Sequence, residues 1–285
     1  MTSPSVVVAG PASWNSIVVL DHLPEPAPHM QFAEESWETV GGTSAGKALS
    51  LTALGRPSLL YALTGDDEPG ERVRDALAEA GVRGIWGRTD ATERHLNLMT
   101  RAGKRVSLYL AAPTEAAETD PALLAAMGRA DAIVMDLAAE PLRLLPEAQA
   151  AGAPIWVDVH DYDGEAAFHV PFLAAAAVVF CNADRLADPV GFLRTCVRGG
   201  AELAVCTLGA EGAVAVDAEG VTHRVAAVPV EVVDTNGAGD AFFAGVLDAR
   251  LSGLSVPRSL EAGARSASTV LRSRHLHPLL DRVLG

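Results

Sequence analysis

A chain of 285 residues, 49% of them hydrophobic, has material for one large α/β domain with a substantial core. Its formal net charge of −14 argues against nucleic acid and anionic membranes as partners, and such a chain would repel a nucleotide unless local positive groups or Mg²⁺ compensate. The three cysteines form no C-x-x-C pair and no apolar run of about 18 residues lacks charge, so the expectation is a cytoplasmic protein with reduced thiols, no signal peptide and no membrane span.

In chain order, residues 5–9 read as a short strand covered on both faces and ending at Gly10. Residues 16–23 and 30–40 change character: β-rich pairs such as Ile17 with Val19 and Trp37 with Thr39 flank a proline-rich stretch at 24–28. A second pair of strands, at 94–100 and 105–110, is joined by the hairpin turn Ala102-Gly103-Lys104. These insertions, at about 14–40 and 93–111, predict a small four-stranded sheet with one apolar face that carries Ile17, Val19, Leu96, Leu98, Leu108 and Leu110. Between them, Thr43 or Ser44 caps a helix that runs to Leu54, 59–62 is a strand, and the acidic 66–70 opens a helix that stops at Gly81. Beyond the hairpin, helices from Pro121 and at 141–151, 171–176 and 189–198 alternate with strands at 132–136, 155–159, 178–181 and 203–207. Strands near 213–216 and 221–225 precede three closing helices at 238–252, 257–271 and 277–284. Such alternation implies a single α/β domain over 1–285 with a mainly parallel sheet, helices on both faces, and a ligand site at the carboxyl ends of the strands.

The chemistry sits in Asp234-Thr235-Asn236-Gly237-Ala238-Gly239-Asp240. Val230, Val232 and Val233 end an extended run, and Phe242, Phe243, Val246 and Leu247 have the spacing of a buried helix, so the string predicts strand, glycine turn, then helix from about Ala238. The first N–H groups of a helix lack intrahelical partners and carry the positive end of its dipole. Gly237 and Gly239 remove the Cβ atoms that would hold an anion off, so the backbone of 237–239 can wrap a phosphoryl oxygen. Asp240, in the first turn, is expected to be ionised at pH 7 because the dipole favours its charge, and could accept the proton of an attacking alcohol. An anion hole and a base three residues apart suggest phosphoryl transfer to a hydroxyl; the plain alternative is a glycine turn with Asp240 as a helix-start residue. No G-x-x-x-x-G-K-[ST] string is present, so this is not a P-loop enzyme. His275 and His277 lack zinc-spaced companions and read as surface or loop residues, His160 reads as structural, and Asp66-Asp67-Glu68 is explained by its place before a helix.

The D-T-x-G-A-G-D string closely resembles the C-terminal signature of the ribokinase (PfkB) family of carbohydrate and nucleoside kinases, and the likeness runs along essentially the whole chain. Gly41-Gly42 resembles the family's G-G motif against the substrate, Leu54-Gly55 through Thr64–Arg72 its L-G…G-x-D-x-x-G segment, and Thr207-Leu208-Gly209-Ala210-Glu211-Gly212 its nucleotide segment. The two strand pairs look like its lid. The resemblance implies a ribokinase-like three-layer α/β/α fold with a small β-sheet lid, ATP and Mg²⁺ as cofactors, a sugar or nucleoside acceptor, and a homodimer through the lid. It further implies Asp240 as base and the amides of Gly237, Ala238 and Gly239 as anion hole. Asn15, Gly41, Gly42, Gly46 and Lys47 would face the acceptor. Asn182, Arg185, Thr207, Gly209, Gly212, Ala264 and Ser268 would border the nucleotide, with Mg²⁺ held through phosphates and water. Asp234 would shape a loop that holds a monovalent cation, K⁺, in some members.

The departures fall mainly on the acceptor side. Asn15 stands where sugar kinases place an aspartate, Gly46 where G-G-x-x-x-N has its asparagine, and Arg185 where N-x-x-E has its glutamate; of the D-P-N-x-R segment only Asp158 remains. Lys47 reads either as pointing into the site or as a solvated helix lysine, and Arg185 either contacts a phosphate or leaves a metal role to Asp184. These changes weaken a claim to ribose and leave the transfer machinery intact. The expectation is an ATP-Mg²⁺ kinase acting on a hydroxymethyl group of a sugar-like acceptor. The alternatives are a nucleoside kinase and a non-catalytic sugar- or nucleotide-binding relative.

Overall fold

A computed structural model describes residues 5–101 and 103–285, so Ala102 of the expected hairpin turn lies outside the described residues. The chain opens with β1 (Val6–Ala9), β2 (Ser13–Leu20), β3 (Glu35–Gly41), α1 (Thr43–Ala53), β4 (Ser58–Thr64), α2 (Glu68–Glu79) and β5 (Gly84–Arg88). The hairpin β6 (Arg94–Thr100) and β7 (Arg105–Ala111) follows, then α3 (Pro121–Met127), β8 (Ala132–Asp136), α4 (Ala139–Ala151), β9 (Ile155–Asp158), α5 (Val170–Ala175) and β10 (Val178–Asn182). The chain closes with α6 (Pro189–Arg198), β11 (Leu203–Thr207), β12 (Ala213–Asp217), β13 (Thr222–Val225), α7 (Ala238–Leu251), α8 (Val256–Val270) and α9 (Pro278–Leu284).

The large sheet has the order β13-β12-β11-β10-β9-β8-β1-β4-β5, parallel from β5 to β11 and antiparallel only at β12 and β13. Successive residues of one strand feed opposite layers. Val6 and Val8 of β1 pack with Leu49 of α1 and Phe243 and Val246 of α7, while Val7 and Ala9 pack with Leu123 of α3 and Leu144 of α4. A strand covered on both faces needs no polar alternation, which is why 6–9 and 132–135 are unbroken apolar runs. The result is the expected three-layer ribokinase-like arrangement. Among the described residues, no helix is long and apolar enough to cross a membrane, and Cys181, Cys196 and Cys206 are free thiols.

The small sheet has the order β3-β2-β6-β7. Its registers sort the side chains: Ile17 pairs with Asn97, which pairs with Ser107, whereas Val18 pairs with Leu98, which pairs with Val106. Paired residues share a face, so one face carries Asn15, Ile17, Asn97 and Ser107, and the other carries Val18, Leu96, Leu98, Val106 and Leu108. This corrects the expected apolar face. Ile17 and Val19 are buried with the polar residues, and only the leucines belong to the outer surface.

Other local expectations are also corrected. The edge strand β5 was not evident, because Gly84 and Gly87 break its pattern; Gly87 is bare because an added Cβ would lie 2.5 Å from the Tyr61 hydroxyl. The run before α7 is not a strand. Residues 226–235 are irregular, Val232 and Val233 are exposed, and the Val233 N–H donates to the Leu271 carbonyl (2.8 Å) rather than to a sheet neighbour. The N-cap of α1 is Gly42, not Thr43 or Ser44, because the Ser44 hydroxyl donates to Asp136 Oδ2 (2.6 Å) instead. His275 and His277 are buried rather than at the surface: His275 Nδ1 pairs with Thr39 Oγ1 (2.9 Å), and His277 caps α9 by accepting from the Leu279 N–H (3.1 Å).

Candidate active site

The glycine turn is built on backbone conformation. Gly237, the N-cap of α7, has φ 75°, a left-handed value that β-carbons disfavour, and an added Cβ would lie 2.5 Å from the Leu276 carbonyl. Gly239 has no atom within 4 Å of an added Cβ, so its bare side opens onto free space. Asp234 ties the turn from below, accepting from the Asn236 N–H (2.9 Å) and Nδ2 (3.2 Å); burial pushes its carboxyl up.

A cleft of about 430 Å³ lies between the carboxyl ends of the central strands and the polar face of the small sheet. Of the residues singled out in the sequence, Asn15, Gly41, Gly42, Asn182, Thr207, Gly237, Gly239 and Asp240 line it. Asn15 sits against the bare face of Gly41, where an added Cβ would be 2.0 Å from its Nδ2; its Oδ1 accepts from the Ser13 hydroxyl (2.8 Å). Asn182 and Thr207, at the tips of β10 and β11, are register partners and present an amide and a hydroxyl together.

Several expected site residues lie elsewhere. Arg185 is mostly exposed, with its guanidinium 3.6 Å from Asp163, and does not line the cleft. Gly209 and Gly212 shape the turn after β11 with φ 58° and 96°, and Gly212 packs against the Val225 carbonyl. Ala264 lies on the buried face of α8 in the core, and the Ser268 hydroxyl donates to the Arg265 carbonyl (2.7 Å). Gly46 and Lys47 do not line the cleft either. They lie beneath Asp240.

That arrangement overturns both expectations for Lys47, which is neither solvated nor turned toward an acceptor. It is fully buried. Its ammonium lies 2.8 Å from Asp240 Oδ1, 3.0 Å from Asp136 Oδ1 and 3.5 Å from Asp158 Oδ2. Burial opposes its charge, but the Asp136, Asp240 and Asp158 carboxylates hold its pKa above the ordinary lysine range. Asp240 stays mostly ionised at pH 7, as expected, but not for the expected reason. Burial, with Asp136 adding repulsion, raises its pKa to about 6 against the pull of Lys47. Asp158 is also desolvated, but His160 and Lys47 bring its pKa below the usual carboxylate value.

The sequence reading missed much of the cleft wall on the side of the small sheet. Thr39, Glu93, His95, Asn97, Arg105, Ser107 and Tyr109 line the cleft, as does Arg274. The alternation of His95 and Asn97 with Leu96 and Leu98 was the available signal. His160 also lines the cleft, with φ 50°, and its N–H donates to Asp158 Oδ1 (3.0 Å); its backbone is structural, yet its ring faces the site. Arg105 Nη1 donates to Asn236 Oδ1 and so links the small sheet to the glycine turn. Among the described residues no group of three His, Cys, Asp or Glu side chains could hold a metal ion.

Comparison with known proteins gives this geometry its context. The model of the pfkB family of carbohydrate kinases matches residues 16–280. The chain is 33% identical over 266 residues to an acarbose 7(IV)-phosphotransferase of Actinoplanes sp. (strain ATCC 31044 / CBS 674.73 / SE50/110), covering 91% of this chain and 89% of the relative. Among solved structures, a microbiome-derived acarbose kinase superposes with TM-score 0.85 at 30% identity, covering 100% of this chain and 99% of that one. An Arabidopsis thaliana ribokinase complexed with ribose and ATP superposes with TM-score 0.79 at 19% identity over 99% of each chain, a likeness of fold.

Proposed function

Since the chain belongs to the pfkB family of carbohydrate kinases, we propose that it transfers the γ-phosphoryl group of Mg-ATP to a hydroxyl of an extended, polyhydroxylated acceptor, with Asp240 as base. The carrying observation is the carboxylate of Asp240 at the edge of the cleft, on the residue that directly follows the bare face of Gly239. Asp240 takes the hydroxyl proton as the acceptor oxygen bonds to phosphorus, and the bond to the bridging oxygen breaks with its electron pair leaving on ADP. The amides of Gly237, Ala238 and Gly239 receive the charge spread over the transferring group. Asn182 and Thr207 support a nucleotide on the β10–β11 side. Mg²⁺ would arrive on the phosphates and neutralise their charge, held through water rather than by a carboxylate cluster. The Asp234 carboxylate is engaged by the turn, so any K⁺ would be held by backbone carbonyls of that loop.

The acceptor wall favours a sugar over a nucleoside. Its amide, hydroxyl and imidazole groups are suited to many hydroxyls, whereas a nucleobase calls for aromatic plates, and Tyr109 with His95 is the one ring pair on that wall among the described residues (centroids 4.0 Å apart). Likeness to an acarbose phosphotransferase and an acarbose kinase supports an amino-sugar oligosaccharide as the acceptor. ADP release should be measured with acarbose, maltotriose, fructoselysine, ribose and adenosine. Turnover is expected with the glycosides and not with adenosine; turnover on adenosine alone would overturn the sugar reading, and ATP-Mg²⁺ binding with no turnover would favour a regulatory relative. The outer face of the lid, with Leu108 and Leu110 about half exposed, supports a homodimer, which a sedimentation mass of two chains would bear out.

A further inference from the structure

The notable feature of the site is a fully buried ammonium below the proposed base. Lys47 Nζ reaches three carboxylates that come from different elements: Asp136 at the end of β8, Asp158 at the end of β9, and Asp240 in the first turn of α7. The Phe243 ring closes the pocket, 5.0 Å from the ammonium. Asp136 Oδ2 accepts from Ser44, but its Oδ1 receives no hydrogen bond among the described residues and is compensated only by the ammonium. Lys47 donates to Asp240 Oδ1, the one side-chain hydrogen bond to Asp240 among the described residues. Asp240 Oδ2 is left against the bare face of Gly46, where an added Cβ would lie 2.7 Å away. Oδ1 is tethered by the ammonium and Oδ2 accepts no hydrogen bond among the described residues, so a single oxygen is left to take a proton.

On the kinase reading above, we propose that Lys47 is the positioning residue of the transfer step: it fixes Asp240 through Oδ1, presents Oδ2 to the acceptor hydroxyl, and keeps the base charged between its two neighbouring carboxylates. Asp158 and Asp240 both border the cleft, and of these two the ammonium lies closer to Asp240, at 2.8 Å against 3.5 Å. Burial and Asp136 both favour the protonated base, and Lys47, ahead of His160, opposes them. The remaining ionisable neighbours are Asp158 and His160; Arg105 and Arg274 line the same cleft.

The test is the pH profile of kcat for Lys47→Met with acarbose as acceptor, read beside a carboxyl-carbon NMR titration of Asp240 without any acceptor. In the wild type the acid limb is expected near the Asp240 pKa of about 6. In Lys47→Met it should move up by about one to two pH units, which lowers kcat about tenfold or more at pH 7 and lets it recover near pH 9, with KM for ATP unchanged. A loss equal at every pH, with the limb still near 6, would overturn the proposal. If the single variant does not fold, Asp136→Asn/Lys47→Met, which removes one charge of each sign, is compared with Asp136→Asn alone: an upward limb supports the role and an unmoved one overturns it. The acceptor-free titration separates the two readings. No turnover on any acceptor would count against the kinase reading, while an Asp240 resonance whose pKa ignores Lys47 would count against this one.

Discussion

A methyl group at Gly46 and one at Gly239 meet opposite surroundings. At Gly46 it would lie 2.7 Å from Asp240 Oδ2 and 3.0 Å from Asp240 Cβ, inside a packed helix pair; at Gly239 it would meet nothing within 4 Å. Gly46→Ala should therefore cost about 1–3 kcal/mol of stability and, by shifting the base, about 10²-fold in kcat. Gly239→Ala should leave stability unchanged or raise it by about 0.5–1 kcal/mol, as Gly→Ala does in a helix, yet place a methyl group where the proposed mechanism puts the phosphoryl group and cut kcat/KM at least tenfold. Thermal unfolding beside steady-state kinetics checks both. Loss of stability at Gly239, or full activity at Gly46, would contradict the assignment. The glycines and Asp240 were legible in the sequence because an anion site made of backbone is a local string. The role of Lys47 was not: its partners Asp136, Asp158 and Asp240 lie far along the chain, and only the parallel sheet brings the ends of β8 and β9 beneath α7. The raised pKa of Asp240 was missed for the same reason, since burial is a property of the assembled site.

At the scale of elements, two contacts carry predictions. Arg105 on β7 donates to Asn236 in the glycine turn, a tie between lid and catalytic loop made by an exposed side chain. Arg105→Ala should change stability by no more than about 0.5 kcal/mol. It should lower kcat/KM for the acceptor about tenfold, because the lid loses its attachment; unaltered kinetics would show that the tie does not matter. The second contact is the His277 cap of α9, where burial depresses the pKa from 6.5 to about 4. The unfolded chain takes up this proton as pH falls through 6.5 while the folded protein refuses it until about 4, so the stabilisation is complete above 6.5 and is lost on acidification. The full loss is about 3 kcal/mol. Urea midpoints at pH 7 and 4.5 should differ more for wild type than for His277→Gln, and equal differences would refute the role. The elements themselves were largely legible: β8, α6 and β11 match the strand–helix periodicity residue for residue, because buried parallel strands and amphipathic helices write their burial locally. β5 escaped through its glycines, and the valine-rich run 230–233 misled because Val232 and Val233 are exposed and none of its residues pairs within the sheet.

For the whole molecule, the acidic balance of −14 coexists with a site that must hold a polyanion. Arg105 and Arg274 line the cleft and the glycine turn adds its backbone donors, so the cleft counters the field of the chain where the proposed nucleotide site lies. The fold makes this possible by ending β8, β9, β10 and β11 at one edge, with the small sheet closing over them. The central claim is that Asp240 accepts a proton during transfer and does no more than border the nucleotide. It is tested most directly by comparing wild type with Asp240→Asn for ADP formation and for ATP-Mg²⁺ affinity on the same samples. The account predicts a fall in kcat of about 10²–10⁴ with ATP affinity unchanged within about twofold. Near wild-type turnover in the variant, or a loss that appears wholly as weaker nucleotide binding, would contradict it.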